Sequence, residues 1–377
     1  MRIAVNARFL LKDRLEGLGR FSDEVLKRIT REHPEHTFIF FFDRDYDPSF
    51  LYAPNVIPVK VFPPARHPYL YYIWFEWRLP ALIRKWKADV FLSPDGFLSL
   101  STSVPQVPVI HDLAFEHYPE FVSKTGAAYY KKYFPRFAQK AARIATVSAF
   151  SREDIHQCYG IERDMIDVVY NGASSDFYEL DADEIRAFQK VRFDGKPWFV
   201  YVGSLHPRKN IGRLLQAFDY FKNQDKRNYQ LVIIGRKAWQ TKDMEAIFDS
   251  MAHKCDVHFT GRIADKEMLP YLCGARALTY VPLFEGFGLP LLEGFNCALP
   301  AITSNVSSLP EVAGEAALFV DPLSVIAIAD AMHRMSKDDA LYAALRNKAR
   351  SRAGDFSWDK TAKKLWLCLE KSIFDRA

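Results

Sequence analysis

Two glutamates, Glu285 and Glu293, bracket a glycine-rich turn in the run Phe284-Glu285-Gly286-Phe287-Gly288-Leu289-Pro290-Leu291-Leu292-Glu293-Gly294. A strand pattern, Ala277–Val281, ends just before it. The glycines permit a tight turn and close approach of a ligand to the backbone. Pro290 suits the first turn of a helix, where its missing N–H costs nothing. The start of such a helix offers unpaired N–H groups to an anion. Carboxylates are a poor choice beside a bare phosphate, but each can accept hydrogen bonds from a pair of hydroxyls on a sugar or ribose. A phosphate flanked by two sugars is a sugar nucleotide. For an isolated pair of glutamates the ordinary reading is a favourable helix dipole for one and solvation for the other; the Gly-x-Gly-x-Pro between them argues against it.

A second candidate is Val202-Gly203-Ser204-Leu205-His206-Pro207-Arg208-Lys209-Asn210. It follows a strand pattern and opens a helical one. Gly203 lets a ligand approach the strand end, and Arg208 and Lys209 can neutralise a diphosphate. Adjacent cations are usually solvated surface. These fall at the carboxyl end of a strand, where open α/β sheets bind their ligands.

Positioning these segments requires alternating strands and helices. Short apolar runs rich in β-branched and aromatic residues occur at Arg2–Phe9, Thr37–Phe42, Val56–Phe62, Asp89–Ser93, Val107–His111, Arg143–Val147 and Ile166–Val169. A second set occurs at Trp198–Val202, Gln230–Ile234, Val257–Thr260, Ala277–Val281, Ala301–Ser304 and Ala317–Val320. Helical periodicity lies between them, as in Asn210–Phe221 and Asp243–Ala252. Such alternation predicts parallel sheets covered on both faces, and its occurrence twice predicts two doubly wound domains. The expected boundaries are 1–174 for the first and 175–356 for the second, with an amphipathic C-terminal helix in 357–377 returning to the first.

At 377 residues the chain has material for two hydrophobic cores. A net charge of +5, dispersed along the sequence, is too weak to point to nucleic acid. Cys158, Cys255, Cys273, Cys297 and Cys368 are odd in number and widely spaced, without C-x-x-C. They predict neither a disulfide framework nor a zinc site. MRIAVNARF begins directly with a strand pattern rather than a signal-peptide core. Cytoplasmic residence is therefore expected, with a peripheral place at the inner face of the membrane as the second reading, carried by 67–87.

On these residues the sequence resembles the retaining glycosyltransferases of family 4. Glu285 and Glu293 form that family's E-x7-E pattern inside EGFGLPLLE. Val109-Ile110-His111-Asp112-Leu113, Thr146-Val147-Ser148-Ala149-Phe150-Ser151, Val169-Tyr170-Asn171-Gly172, Ser308-Leu309-Pro310-Glu311-Val312 and Phe356-Ser357-Trp358 resemble further family stretches, so the resemblance spans most of the chain. Ser204 stands where many members carry Arg; Lys209 matches the family Lys, and Arg208 directly precedes it. The Pro-Arg-Lys-Asn form is similar to a branch containing many bacterial mannosyltransferases.

The resemblance implies a GT-B fold, two facing Rossmann-like domains with a donor cleft between them. It implies that Glu285 contacts donor-sugar hydroxyls and Glu293 the ribose. Backbone N–H groups of Gly286, Phe287, Gly288 and Leu289 would meet the sugar and phosphates, and Arg208 and Lys209 the diphosphate. Gly261, Arg262 and Ile263 would lie at the base, Gly19 in a glycine loop facing the donor, and His111 near the reacting sugar. Retention would follow the family's route, with the leaving phosphate helping to deprotonate the acceptor on the same face.

No cofactor or metal is expected beyond the nucleotide-diphospho-sugar itself. Asp43-Arg44-Asp45 has a diphosphate-metal spacing but lies early in the first domain and reads as a turn. Cations and helix N–H groups would instead stabilise the leaving group, with an oxocarbenium-like sugar in the transition state. The expected reaction transfers a hexose, mannose favoured, to a glycan or lipid-linked acceptor. UDP-dependent glucosyl or N-acetylglucosaminyl transfer is the alternative. The aromatic and basic stretch 67–87 reads first as a helix packed on the first sheet with its cationic end solvated, interrupted by Pro80. Second, it reads as a peripheral membrane contact. Two other classes are weighed. A nicotinamide oxidoreductase needs Gly-x-Gly-x-x-Gly directly after a strand, and Gly17-Leu18-Gly19-Arg20-Phe21-Ser22 lacks the third glycine. A non-catalytic sugar-nucleotide binder would keep the fold without turnover.

Overall fold

A computed structural model describes residues 1–12, 15–65, 67–224, 227–237 and 242–374, so the last three residues of the 357–377 segment lie outside the described residues. The chain divides into two compact units, Met1–Gly172 with Ser357–Ala377, and Ala173–Phe356.

In the first unit the strands are β1 (Arg2–Asn6), β2 (Thr37–Phe42), β3 (Val56–Lys60), β4 (Val90–Ser93), β5 (Gln106–Ile110), β6 (Ile144–Thr146) and β7 (Ile166–Val168). They form one sheet in the order β3-β2-β1-β4-β5-β6-β7, every neighbouring pair parallel. The second unit contains β8 (Trp198–Val202), β9 (Gln230–Ile234), β10 (Val257–Gly261), β11 (Leu278–Tyr280), β12 (Ala301–Ser304) and β13 (Ala317–Val320). Their order is β10-β9-β8-β11-β12-β13, again parallel throughout. Every apolar run read as a strand is one. The central strands β5, β8 and β9 are buried at all five positions, which is why they are near-continuous apolar runs rather than alternating ones.

In both sheets the order reverses beside the first strand, between β1 and β4 and between β8 and β11. The loops leaving two neighbouring strands there run to opposite sides and open a crevice at the carboxyl edge. The second candidate segment follows β8 and the first follows β11, so residues about 75 positions apart in sequence meet at one crevice.

Two expectations are corrected. The first strand ends at Asn6 rather than Phe9. The Asn6 amide donates to Ser93 Oγ at 3.0 Å and Asp95 Oδ1 at 2.7 Å, and the buried Arg8 guanidinium pairs with Asp95. These polar contacts turn the chain out of the sheet where its hydropathy still reads as strand. Nor does Pro80 interrupt the helix in 67–87. Helical backbone runs from Pro68 to Trp86, passing through a π-helical stretch at Ile73–Arg78. Proline clashes with the carbonyl four residues back and has no N–H to give it. The wider π turn, in which Leu79 N–H bonds Trp74 O, accommodates the ring without breaking the track.

The helix Trp358–Phe374 belongs to the first unit. Thr361 Oγ1 donates to Tyr170 O, Lys371 Nζ to Asp167 Oδ1 at 2.7 Å, and Trp366 stacks on His33 at 3.6 Å between ring centroids. No helix among the described residues is long and apolar enough to cross a membrane.

Candidate active site

Beyond β8 the chain makes a short turn at Pro207–Lys209, capped by the His206 side chain accepting from Arg208 N–H. Asn210 follows in the left-handed region at φ 62°. Its side-chain amide donates to Val281 O at 2.9 Å and Pro322 O at 2.7 Å, which ties this turn to the loop after β11. Leu283 N–H completes the tie by donating to Arg208 O at 2.9 Å. Arg208 and Lys209 are thereby aimed at the second loop instead of into solvent.

Glu285 receives them. Its side chain is 8% exposed, Lys209 Nζ forms an ion pair with Oε1, and Arg208 Nη1 stands 3.3 Å from the same oxygen. Arg208 Nη1 also donates to Phe284 O at 2.6 Å, and Lys209 Nζ to Tyr280 Oη at 2.9 Å. Burial pushes the Glu285 carboxyl up. The Arg208 and Lys209 cations, with hydrogen bonds from Lys209 and Tyr280, overcome that effect and hold it below its ordinary value. Burial, with the Glu285 charge, pushes the Tyr201 and Tyr280 phenols well above theirs, so both stay protonated. Two cations against one carboxylate leave one net positive charge at the mouth of a helix.

That helix is Leu289–Asn296. Gly288 caps it at φ 101°, a conformation that disfavours side chains. Ser307 Oγ accepts from Glu285 N–H at 3.2 Å and Ser308 Oγ donates to Glu285 O at 2.8 Å, which fixes the loop between Glu285 and the helix. The Phe287 ring is buried, edge-on to Phe356 at 5.7 Å, so this residue offers its backbone and not its side chain to the crevice. Glu293 is the fifth residue of the helix, about 6 Å along its axis, and buried.

The remaining candidates are more dispersed. Gly203 leaves β8 at φ 146°. Gly261 ends β10 and its carbonyl accepts from Gly235 N–H at 2.9 Å; Arg262 is exposed and Ile263 half-buried. Two strands separate β10 from β11, so the Gly261 end lies about 14 Å along the sheet edge from the Glu285 loop.

In the first unit, His111 is half-buried just after β5. Its Nε2 lies 2.9 Å from Pro94 O, and its ring meets the edge of Phe21 at 4.9 Å. A carbonyl only accepts, so Nε2 carries the proton and Nδ1 the lone pair. Burial lowers the His111 pKa against the opposing influence of Pro94 O, Asp112 and Asp95, which favours the neutral ring. Gly19 is not in a glycine loop: it is the third residue of the helix Gly17–Glu32. A Cβ there would lie 2.9 Å from Phe9 O, so close packing inside the unit explains the glycine. Asp43-Arg44-Asp45 is a structural turn. Asp43 accepts from Arg44 Nη2 at 2.8 Å and Ala65 N–H at 3.1 Å, while Asp45 pairs with Lys60.

Sequence reading missed Tyr280 and Ser307, and quoted Ser308 only within a family stretch, without a role. Tyr280 closes β11 inside an apolar run, where it reads as core; its hydroxyl is the only clue. Both serines precede the short helix Leu309–Ala313 and look like ordinary caps.

Residues 15–177 match the family described as Glycosyltransferase Family 4, and residues 183–352 match Glycosyl transferases group 1. O-antigen chain mannosyltransferase B of Escherichia coli is 30% identical over 362 residues, covering 93% of this chain and 94% of that protein. The chain belongs to glycosyltransferase family 4. Sucrose-phosphate synthase from Thermosynechococcus elongatus shares the fold of this glycosyltransferase with a TM-score of 0.78 at 18% identity, over 100% of both chains. Anabaena HepE, solved with UDP-glucose, does so with a TM-score of 0.77 at 16% identity, over 98% of this chain and 100% of that one. The fold class is GT-B, and the glycosyltransferase is a hexosyltransferase enzyme. The oxidoreductase and non-catalytic readings fall away.

Proposed function

We propose that this glycosyltransferase moves mannose, with retention and without a metal ion, from a nucleotide-diphospho-sugar to a glycan or lipid-linked acceptor. The observation that carries this reading is the clustering of Arg208, Lys209 and Glu285 at the β8/β11 crevice beside the start of the helix Leu289–Asn296. A diphosphate entering the crevice competes with Glu285 for the two cations. As they turn to the phosphates, Glu285 becomes available to the sugar hydroxyls. Loss of the leaving group then places negative charge where Arg208, Lys209 and the helix N–H groups can stabilise it. The sugar develops cationic character near the Glu285 carboxylate. The base would extend along the sheet edge toward Gly261, Arg262 and Ile263, with the ribose at Glu293.

The Pro207-Arg208-Lys209-Asn210 form and the Escherichia coli mannosyltransferase favour GDP-mannose. HepE, bound to UDP-glucose, supports the rival donor. A thermal-shift panel separates them: GDP-mannose at 100 times its dissociation constant adds ~2.7 kcal/mol of apparent stability. Stabilisation by UDP-glucose and not by GDP-mannose sinks the mannosyl assignment. In the same preparation, turnover in excess EDTA stays within about twofold of the untreated rate, because two side-chain cations and helix N–H groups serve the leaving group. Complete loss, restored by Mg²⁺ or Mn²⁺, overturns metal independence.

The acceptor side is read from 67–87. One face of this helix, Trp74, Phe75, Leu79 and Ile83, is sealed in the core of the first unit. Tyr69, Tyr72 and Trp77 are exposed at 78%, 44% and 64%, and Arg78, Arg84, Lys85 and Lys87 are exposed with them. Aromatic rings among cations suit the headgroup layer of an anionic bilayer, where a lipid-linked acceptor resides. The protein should co-sediment with anionic but not neutral vesicles, and Tyr69→Ser with Trp77→Ser should reduce binding at least fivefold. Equal binding to both vesicle types would remove the anionic headgroups from this reading, and no binding to either would remove the membrane.

A further inference from the structure

The helices Ala114–His117 and Ala149–Tyr159 of the first unit bring together three side chains that the proposed reaction does not use. Asp154 and Cys158 stand four residues apart on one helix, hence on one face. His117 reaches them from the other helix. His117 Nε2 is 2.7 Å from Asp154 Oδ1, and Cys158 Sγ is 3.6 Å from the same oxygen. One ligand atom from each of the three lies within 4.8 Å of the others.

The carboxylate carries the argument further. Asp154 is only 7% exposed. Its Oδ1 receives both neighbours, while its Oδ2 is buried and has no hydrogen-bond partner. A buried carboxylate oxygen without a partner is costly. A thiol and an imidazole, both exposed, stand around it and open the group to solvent. Nitrogen, oxygen and sulfur donors from three residues match a borderline-soft divalent ion that binds imidazole, carboxylate and thiolate at about 2.0–2.3 Å. Small movements from the present separations suffice.

We propose that His117, Asp154 and Cys158 form a binding site for a zinc-class divalent ion, with water as the fourth ligand. On binding, the thiol releases its proton to solvent and the imidazole proton moves from Nε2 to Nδ1, so that sulfur and Nε2 each give a lone pair to the metal. The ion ties together the two helices that follow β5 and β6. Its role is structural, and it is separate from the leaving-group chemistry assigned to Arg208 and Lys209.

Cobalt(II) is the probe. Chelator-stripped protein titrated with Co²⁺ should bind one equivalent with a thiolate-to-cobalt charge-transfer band in the near ultraviolet, and Zn²⁺ should bleach it. The band should persist in Cys255→Ser, vanish in Cys158→Ser, and require at least tenfold more Co²⁺ in His117→Ala. Circular dichroism of Cys158→Ser, altered at an exposed residue, confirms that the variant is folded. The other described cluster of ligand-type residues, His33, Glu35 and His36, has no thiol and cannot give this band. Absence of the band in the unaltered protein, or its survival in Cys158→Ser, overturns the proposal.

Discussion

Lys209→Met should lower kcat/KM by two to three orders of magnitude. Lys209 pairs with Glu285 and hydrogen-bonds Tyr280, and the diphosphate is a further partner proposed during reaction. Removing one preorganised donor to developing negative charge costs about 10²–10³ in rate. A second effect runs through Glu285. Loss of Lys209 leaves that buried carboxylate with Arg208 as its remaining cation. Breaking a buried pair costs roughly 3–5 kcal/mol when no other partner remains, and Arg208 reduces that penalty. The two effects separate in the double variant Lys209→Met with Glu285→Gln. Neutralising the carboxylate removes the uncompensated charge, so thermal stability should largely return. Activity should not, because the cation for the leaving group is still missing. Steady-state kinetics and thermal unfolding on the same samples check both halves. A single variant within threefold of the original kcat/KM would detach Lys209 from the leaving group, and recovery of activity in the double variant would make its role purely structural.

The partnership of Lys209 with Glu285 also shows where sequence reading stops. Periodicity located the thirteen strands of the described residues, and the central ones, apolar runs buried on both faces, leave that mark most clearly. Alternation of strand and helix does not specify strand order. That β8 and β11 are neighbours, and so bring residues 208, 209 and 285 together, is a long-range fact. Local polar networks were equally hidden. Asn6 and Arg8 lie in a hydrophobic run and read as strand, yet their partner Asp95 is nearly ninety residues away. Pro80 looks like a helix breaker because the π turn that accommodates it is set by packing of Trp74 and Phe75 into the core. Gly19 reads as part of a glycine loop, yet it lies in the first turn of a helix, where the carbonyl of Phe9 leaves no room for a Cβ. His117 and Asp154 gave no signal, since one ends a four-residue helix and the other follows Glu153 in a polar helical stretch.

The two glutamates should part company in kinetics. Substitution by Gln removes a charge-assisted hydrogen bond at either position, worth about 1.5–3 kcal/mol, but the moment at which that bond matters differs. The ribose changes little during transfer. Glu293→Gln should therefore weaken donor binding in ground and transition states alike, raising KM by roughly 10- to 100-fold and largely sparing kcat. The sugar ring becomes cationic, and a carboxylate beside it interacts more strongly as that charge develops. Glu285→Gln should accordingly lower kcat by about one to two orders of magnitude with a smaller change in KM. The ion pair sharpens this contrast. Glu285 engages Lys209 and Arg208, and in the proposed reaction a diphosphate draws them away. Glutamine holds the cations less tightly, so the free nucleotide diphosphate should bind Glu285→Gln at least as well as the unaltered enzyme. The same ligand carries the ribose, and should bind Glu293→Gln more weakly. Calorimetry with the nucleotide diphosphate and steady-state kinetics with the intact donor together decide the matter. Weaker nucleotide binding in Glu285→Gln with a normal Glu293→Gln would exchange the two roles, and indifference to both substitutions would place the donor elsewhere.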